Sequence, residues 1–127
     1  MKILVPYDGT EETEAALDNS IDIAQERGGL LKVLHVYWDP KGREYGGTEV
    51  RDRYSLQVLS PIKPRLERLN IPTEMLSRHD PHVSETISRT AEEEDVDLIV
   101  VSRQGFGGSS IGNEPSIIQS ERAVLLL

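Results

Sequence analysis

The run Leu98-Ile-Val-Val101 constrains the fold of this chain more than any other stretch. Four aliphatic residues without polar alternation are too few for a helix and too apolar for a sheet face that meets water. They predict a central strand of a parallel sheet, covered on both faces. Asp97 starts the strand, and Ser102-Arg-Gln-Gly105-Phe-Gly107-Gly108-Ser109-Ser110 follows at once. Glycines let the backbone turn successive N–H groups toward one anion, and ligands of open parallel sheets sit at the carboxyl ends of strands. This junction is therefore a candidate phosphate site.

The rest of the chain alternates apolar runs with segments of helical period, the pattern of a βαβα domain. Strands are expected at Lys2–Pro6, Leu30–Trp38, Pro72–Ser77, Asp97–Val101 and Ala123–Leu127. Asp8-Gly9-Thr10 turns the chain into a helix over Glu11–Glu26, with Ala15, Ala16, Leu17, Ile21 and Ala24 toward the core and Gly28-Gly29 ending it. Asp39–Gly47 reads as a mobile surface loop. A helix over Val50–Leu69 should be kinked or divided by Pro61 and Pro64. Pro72 points to an edge strand. Asp80-Pro81 is expected to cap and open a helix reaching Glu94, and a short helix is expected near Glu114–Ser120.

With 127 residues the chain has the size of one ordinary domain, 1–127, able to bury a core without staples. It has no cysteine and only His35, His79 and His82, which excludes disulfides, thiolate metal sites and cysteine nucleophiles and makes a zinc site a poor expectation. The amino terminus enters a strand directly and no stretch is long enough to span a membrane, so a soluble, cytoplasmic protein is expected. A formal charge of −8 and a pI near 4.8 argue against nucleic acid as a partner, although a loop of N–H groups can still hold an anionic nucleotide locally. Glu92-Glu93-Glu94-Asp95 reads as a solvated helix end.

Asp8, at the carboxyl end of the first strand, can hydrogen-bond a ribose, hold Mg²⁺ or serve the start of the following helix. What favours a binding role is its shared sheet edge with the glycine loop. His35 lies inside an apolar strand and reads as a core histidine with its hydrogen bond satisfied, while His79 and His82 read as solvent-facing. Gly105-Phe-Gly107-Gly108 matches neither GxGxxG nor a Walker loop, and no Ser, His, Asp triad emerges from the spacing.

Lys2-Ile-Leu-Val-Pro-Tyr-Asp8-Gly, the strand ending His35-Val36, Asp80-Pro81 with Ile87 and Ala91, and Asp97-Leu-Ile-Val-Val-Ser102 together resemble a universal stress protein domain over nearly the whole chain. The resemblance implies a doubly wound α/β fold with a five-stranded parallel sheet of order 3-2-1-4-5, helices on both faces and a homodimer. In one branch of the family it also implies ATP or AMP, with Mg²⁺, between the first and fourth strands. Pro6 and Asp8 would then meet adenine and ribose, and Val36 would line the base pocket. Val101, Ser102 and Gly105 would begin the phosphate loop, which continues through Gly108 to Gly112 and Asn113.

The loop departs from that branch, whose pattern is Gly, two residues, Gly, nine residues, then Gly with Ser or Thr. Ser102 stands at the first Gly. If Gly112-Asn113 is the final pair, only Phe106 to Ile111 intervene; an alignment on Glu114 leaves Ser110 and Ile111 there instead. Either way donors are lost from the phosphate cradle. The implied function is a small stress-response regulatory or binding module, not an enzyme, that requires no cofactor and carries an adenine-nucleotide site with an altered phosphate loop. One alternative is an ATP-dependent switch of the same family. Another is a receiver-like phosphoacceptor domain, which wants an Asp ending the third strand and a Lys ending a later one, where this chain has Ser77-Arg78 and Ser102-Arg103. An adenylating or thiolating enzyme would need a cysteine or an unbroken loop. The aliphatic run Ala123–Leu127, as a sheet edge, is expected to pair with a two-fold mate.

Overall fold

The computed structural model describes residues 1–38, 48–103 and 122–127, with the side chains of 48–53 left aside. The described elements are β1 (Lys2–Pro6), α1 (Glu11–Arg27), β2 (Leu30–Tyr37), α2 (Thr48–Leu59), a 3-10 turn at Ser60–Ile62, α3 (Lys63–Arg68), β3 (Thr73–His79), α4 (Val83–Glu93), β4 (Leu98–Val101) and β5 (Ala123–Leu126). The strands form one sheet of order β3-β2-β1-β4-β5, parallel at every pairing. The expected Asp39–Gly47 loop and the helix near Glu114–Ser120 lie outside the described residues.

Strand periodicity sorts the core into two layers. Ile3, Val5, Leu31, Val33 and Val100 pack beneath α1, α2 and α3, against Ala16, Leu17, Ile21, Leu59 and Leu66. Leu4, Leu34, Val36, Ile99 and Val101 pack on the other face against Ile87 and Ala91 of α4. Right-handed crossovers produce this split: the chain winds from β1 out to β3 on one face, then returns through α4 on the other to place β4 beside β1.

Local chemistry sets the boundaries. Thr10 caps α1, its hydroxyl accepting from the Thr13 N–H, and three acidic residues in the first turn suit the positive helix end. Gly28 closes α1 in the left-handed region at φ 67°, which a side chain would strain. Pro61 and Pro64 divide the second helical region into α2, the 3-10 turn and α3, as their missing N–H groups require. Thr13 and Ser20 are buried on α1 whereas Ala15 is exposed, so the inner face is rotated from the expected one. α4 begins at Val83, later than Asp80-Pro81 suggested, because Asp80 Oδ1 accepts from the His82 N–H at 2.8 Å and holds the chain in a turn before the helix.

Ion pairs engage the acidic run Glu92–Asp95 at the end of α4. Lys32 is buried, and its Nζ lies 2.9 Å from both Glu74 and Glu94. Arg122 reaches Glu92 at 3.0 Å and Asp95 at 2.8 Å, which ties the entry of β5 to the end of α4. Glu93 lies 3.9 Å from Arg78. Glu92, Glu93 and Asp95 remain exposed, as expected of a solvated helix end, while Glu94 is half-buried against Lys32.

Candidate functional site

At the carboxyl end of the sheet β1 lies between β2 and β4, where the strand order, having run outward from β1 to β3, starts again on the other side of β1. Such a switch point leaves a crevice in an open parallel sheet. The recorded pairing of β1 with β4 covers Ile3 with Leu98 and Leu4 with Ile99, two residues short of Pro6 and Val101. A cleft of about 320 Å³ opens at this edge beside β2, lined by Asp8, His35, Val36 and Tyr37 together with Trp38, and bounded by Tyr54 of α2 and Val83 of α4.

Asp8 is half-buried. Its Oδ1 accepts from the Thr10 N–H at 3.0 Å, the Thr10 hydroxyl at 2.6 Å and the Thr13 hydroxyl at 2.9 Å. Thr13 is buried, so this network holds the carboxylate direction while it organises the start of α1. Gly9, at φ 88°, makes the sharp turn that brings Thr10 back over Asp8. Asp8 supports the cap through Thr10 instead of being the cap, and the same residue lines the cleft.

His35 is buried, with Nδ1 2.9 Å from the Ser55 hydroxyl, which in turn bonds the Ser77 hydroxyl. Burial lowers its pKa below the ordinary histidine value, and the nearby Asp8 charge opposes the shift. The core reading of His35 thus holds, although its ring also forms the cleft floor. His82 is exposed, whereas His79 is half-buried and packs on Tyr37 and Trp38, unlike the solvent-facing expectation.

Of the residues singled out in the sequence, Asp8 and Val36 line the cleft together. Pro6 and Val101 are buried at the ends of β1 and β4, and half-buried Ser102 follows directly. None of these three lines the cleft. Gly105, Gly108, Gly112 and Asn113 lie outside the described residues, so the phosphate loop remains an expectation from sequence. Tyr37, Trp38 and Tyr54 were not anticipated. The stretch His35-Val-Tyr37 that ends β2, with Trp38 directly after it, carries a signal, since residues at a strand's carboxyl end stand at the ligand edge, but Tyr54 comes from α2 and nothing local marks it. Among the described residues no cluster of His, Asp or Glu could hold a metal ion, and no helix is long and apolar enough to cross a membrane.

Comparison with known proteins places this geometry. The model of the universal stress protein family matches residues 1–113. The chain is similar to a solved protein of that family from Burkholderia pseudomallei, with 23% identity, a TM-score of 0.74 and coverage of 99% of this chain and 94% of that one. It is similar to the universal stress protein from Archaeoglobus fulgidus solved in complex with dAMP, at 20% identity, TM-score 0.74 and coverage of 99% and 96%. A universal stress protein solved in complex with cAMP shares 18% identity at TM-score 0.75, covering 100% and 96%. Identities this low establish a common fold. The family model, spanning most of the chain, establishes more: the chain belongs to the universal stress protein family.

Proposed function

We propose that this chain is a regulatory module of the stress response that works by binding adenosine or an adenine nucleotide, and not by turnover. The observation that carries this reading is the cleft at the switch point, where a fixed carboxylate, Asp8, and the base-pocket residue Val36 line one cavity. A carboxylate there suits ribose hydroxyls. Relatives of the same fold have been solved with dAMP and with cAMP, which supports an adenine ligand. Pro6, Val101 and Ser102 flank the crevice from β1 and β4, and Gly105, Gly108, Gly112 and Asn113 would supply the phosphate side.

Because Ser102 replaces a glycine and the following spacing is short, the phosphates should add little, so AMP suits the site as well as ATP. Mg²⁺ would enter only with a triphosphate. The module would act in the cytoplasm as a homodimer joined through β5, an edge strand paired on one side by β4. Mass analysis of small molecules released from the gently purified protein tests the ligand class. Adenosine or AMP at a substantial fraction of the protein is the expected result, and a copurifying ligand without an adenine ring would contradict the reading.

A further inference from the structure

Among the described residues β3 pairs with β2 on one side and with no strand on the other. The Leu31 N–H donates to the Pro72 carbonyl at 2.9 Å, and the Asp80 N–H to the Tyr37 carbonyl at 3.0 Å. Bonding residues alternate along a parallel ladder, so Glu74, Leu76 and Arg78 face β2 between these two ends. The N–H and carbonyl groups of Thr73, Met75 and Ser77 therefore turn to the open side. Arg78 Nη1 covers one of them, the Ser77 carbonyl, at 2.9 Å. The rest of the row can receive another strand.

Two cavities follow this edge beside α2 and α3. The larger, of about 290 Å³, lies between Leu56 and Leu59 of α2, Lys63, and the stretch Met75-Leu-Ser77 of β3. The smaller, of about 180 Å³, reaches Leu66, Glu67, Ile71 and Thr73. Lys63 and Met75 line both, so the two are neighbours displaced along β3. The displacement from Ser77 toward Thr73 matches the strand repeat of two residues, about 7 Å, which brings alternate side chains of one strand to the same face. In the larger cavity the Ser55 and Ser77 hydroxyls are already bonded to each other, and Ser55 to His35. What it offers a guest is aliphatic surface, and Leu56 stays 60% exposed there.

Charge sets the guest's polarity. Lys63 is exposed, is the one charged residue lining the larger cavity, and its side chain makes no hydrogen bond or ion pair among the described residues. Glu67 lines only the smaller cavity. A carboxylate therefore suits the side of the larger cavity and would be repelled beyond the smaller one. We propose that the β3 edge takes an extended peptide as an added strand, with a large apolar side chain in the larger cavity, a smaller one two residues away in the other, and an acidic residue flanking the large one to meet Lys63. Main-chain bonds to the edge supply affinity in such binding, and the cavities supply the choice of sequence. A second copy's β3 fits poorly, because its Met75 packs with its own Leu59 and Leu66 and its Ser77 is bonded to its own Ser55. The inference is independent of the nucleotide cleft.

Two blocked synthetic peptides, Thr-Asp-Thr-Leu-Thr-Val-Thr and its reverse Thr-Val-Thr-Leu-Thr-Asp-Thr, cover both strand directions and are titrated into the whole protein, with heat and the amide NMR signals followed together. One of them should bind at about 100 µM and shift the Thr73, Met75 and Ser77 amides. Moving Val to three residues from Leu should weaken binding about ten-fold, since the two side chains then point to opposite faces. Backbone N-methylation should abolish binding at residues of one parity and be tolerated at the other, because only alternate N–H groups meet β3. Lys63→Glu, at an exposed first-turn position that suits an acid, should weaken the acidic peptide about ten-fold, and a peptide with Lys in place of Asp should recover the loss. Neither peptide binding at millimolar concentration would overturn the proposal. Binding that ignores the Leu–Val spacing and the parity of N-methylation would reduce the trough to an apolar surface and overturn it as well. A protein dimer that the bound peptide splits would assign the edge to a second copy instead.

Discussion

His35 shows how one buried group serves both stability and the site. Burial holds its pKa below the ordinary value of about 6.5, so on acidification the unfolded chain takes up this proton before the folded protein does. The contribution of neutral His35 is complete above about pH 6.5 and is lost as pH falls below that value toward the folded pKa. Asp80 and Glu94 are held below the ordinary carboxylate range by the His82 N–H and by Lys32 respectively, so their losses come at lower pH. The melting temperature should therefore decline between pH 7 and pH 5. His35→Gln should flatten that decline, whatever it does to the absolute stability. Thermal unfolding followed at several pH values checks this, and an unchanged slope in the variant would mean that His35 is not the group being titrated. The position of His35 inside an apolar strand was enough to read it as a core residue. Its partner was not readable, because Ser55 lies twenty residues on, in α2, and only packing brings the two together.

The elements begin and end where backbone chemistry leaves little choice. Gly28 closes α1 at φ 67° and ψ 46°, with its N–H donated to the Ala24 carbonyl. Gly28→Ala should cost about 1 kcal/mol, since open space around the position leaves backbone strain as the only penalty. Gly28→Asn should recover part of it. Denaturant melts of the two variants measure the difference, and equal loss in both would point away from the left-handed cap. The strand and helix alternation was legible because parallel strands covered on both faces announce themselves as unbroken aliphatic runs, as at Leu98–Val101. The division at Pro61 and Pro64 was legible for an equally local reason. The start of α4 was not, because Asp80 can cap a helix or hold a turn with the same carboxylate, and the His82 N–H decides between them. Ala15 misled because alanine suits either face of a helix, and Thr13 took a buried place through its bond to Asp8.

For the whole molecule, the sheet has two edges of different character. β3 sits at one edge, flanked by α2 and α3. β5 sits at the other, with Leu125 and the following Leu127 36% and 37% exposed. Apolar side chains beside an open row of backbone groups favour pairing with a second copy. Leu125→Lys should therefore shift a dimer to monomer in sedimentation at tens of micromolar. Leu125 is the better probe because Leu126 also packs into the core layer beneath α4. A parent protein that is already monomeric and folded at that concentration would contradict the dimer. The ligand edge of the molecule was only half legible. Asp8 and Val36 were marked by their places at strand ends, but the aromatic side of the cleft joins residues from β2 and α2 that no local pattern connects. If the proposed function holds, this family member should take the adenosine part of a nucleotide and gain little from its phosphates. Isothermal titration of adenosine, AMP and ATP into the same protein, with Asp8→Ala as the control, tests it most directly. The predicted result is similar affinity for AMP and ATP, weakened for both in the variant. ATP binding at micromolar or tighter and clearly stronger than AMP would contradict it.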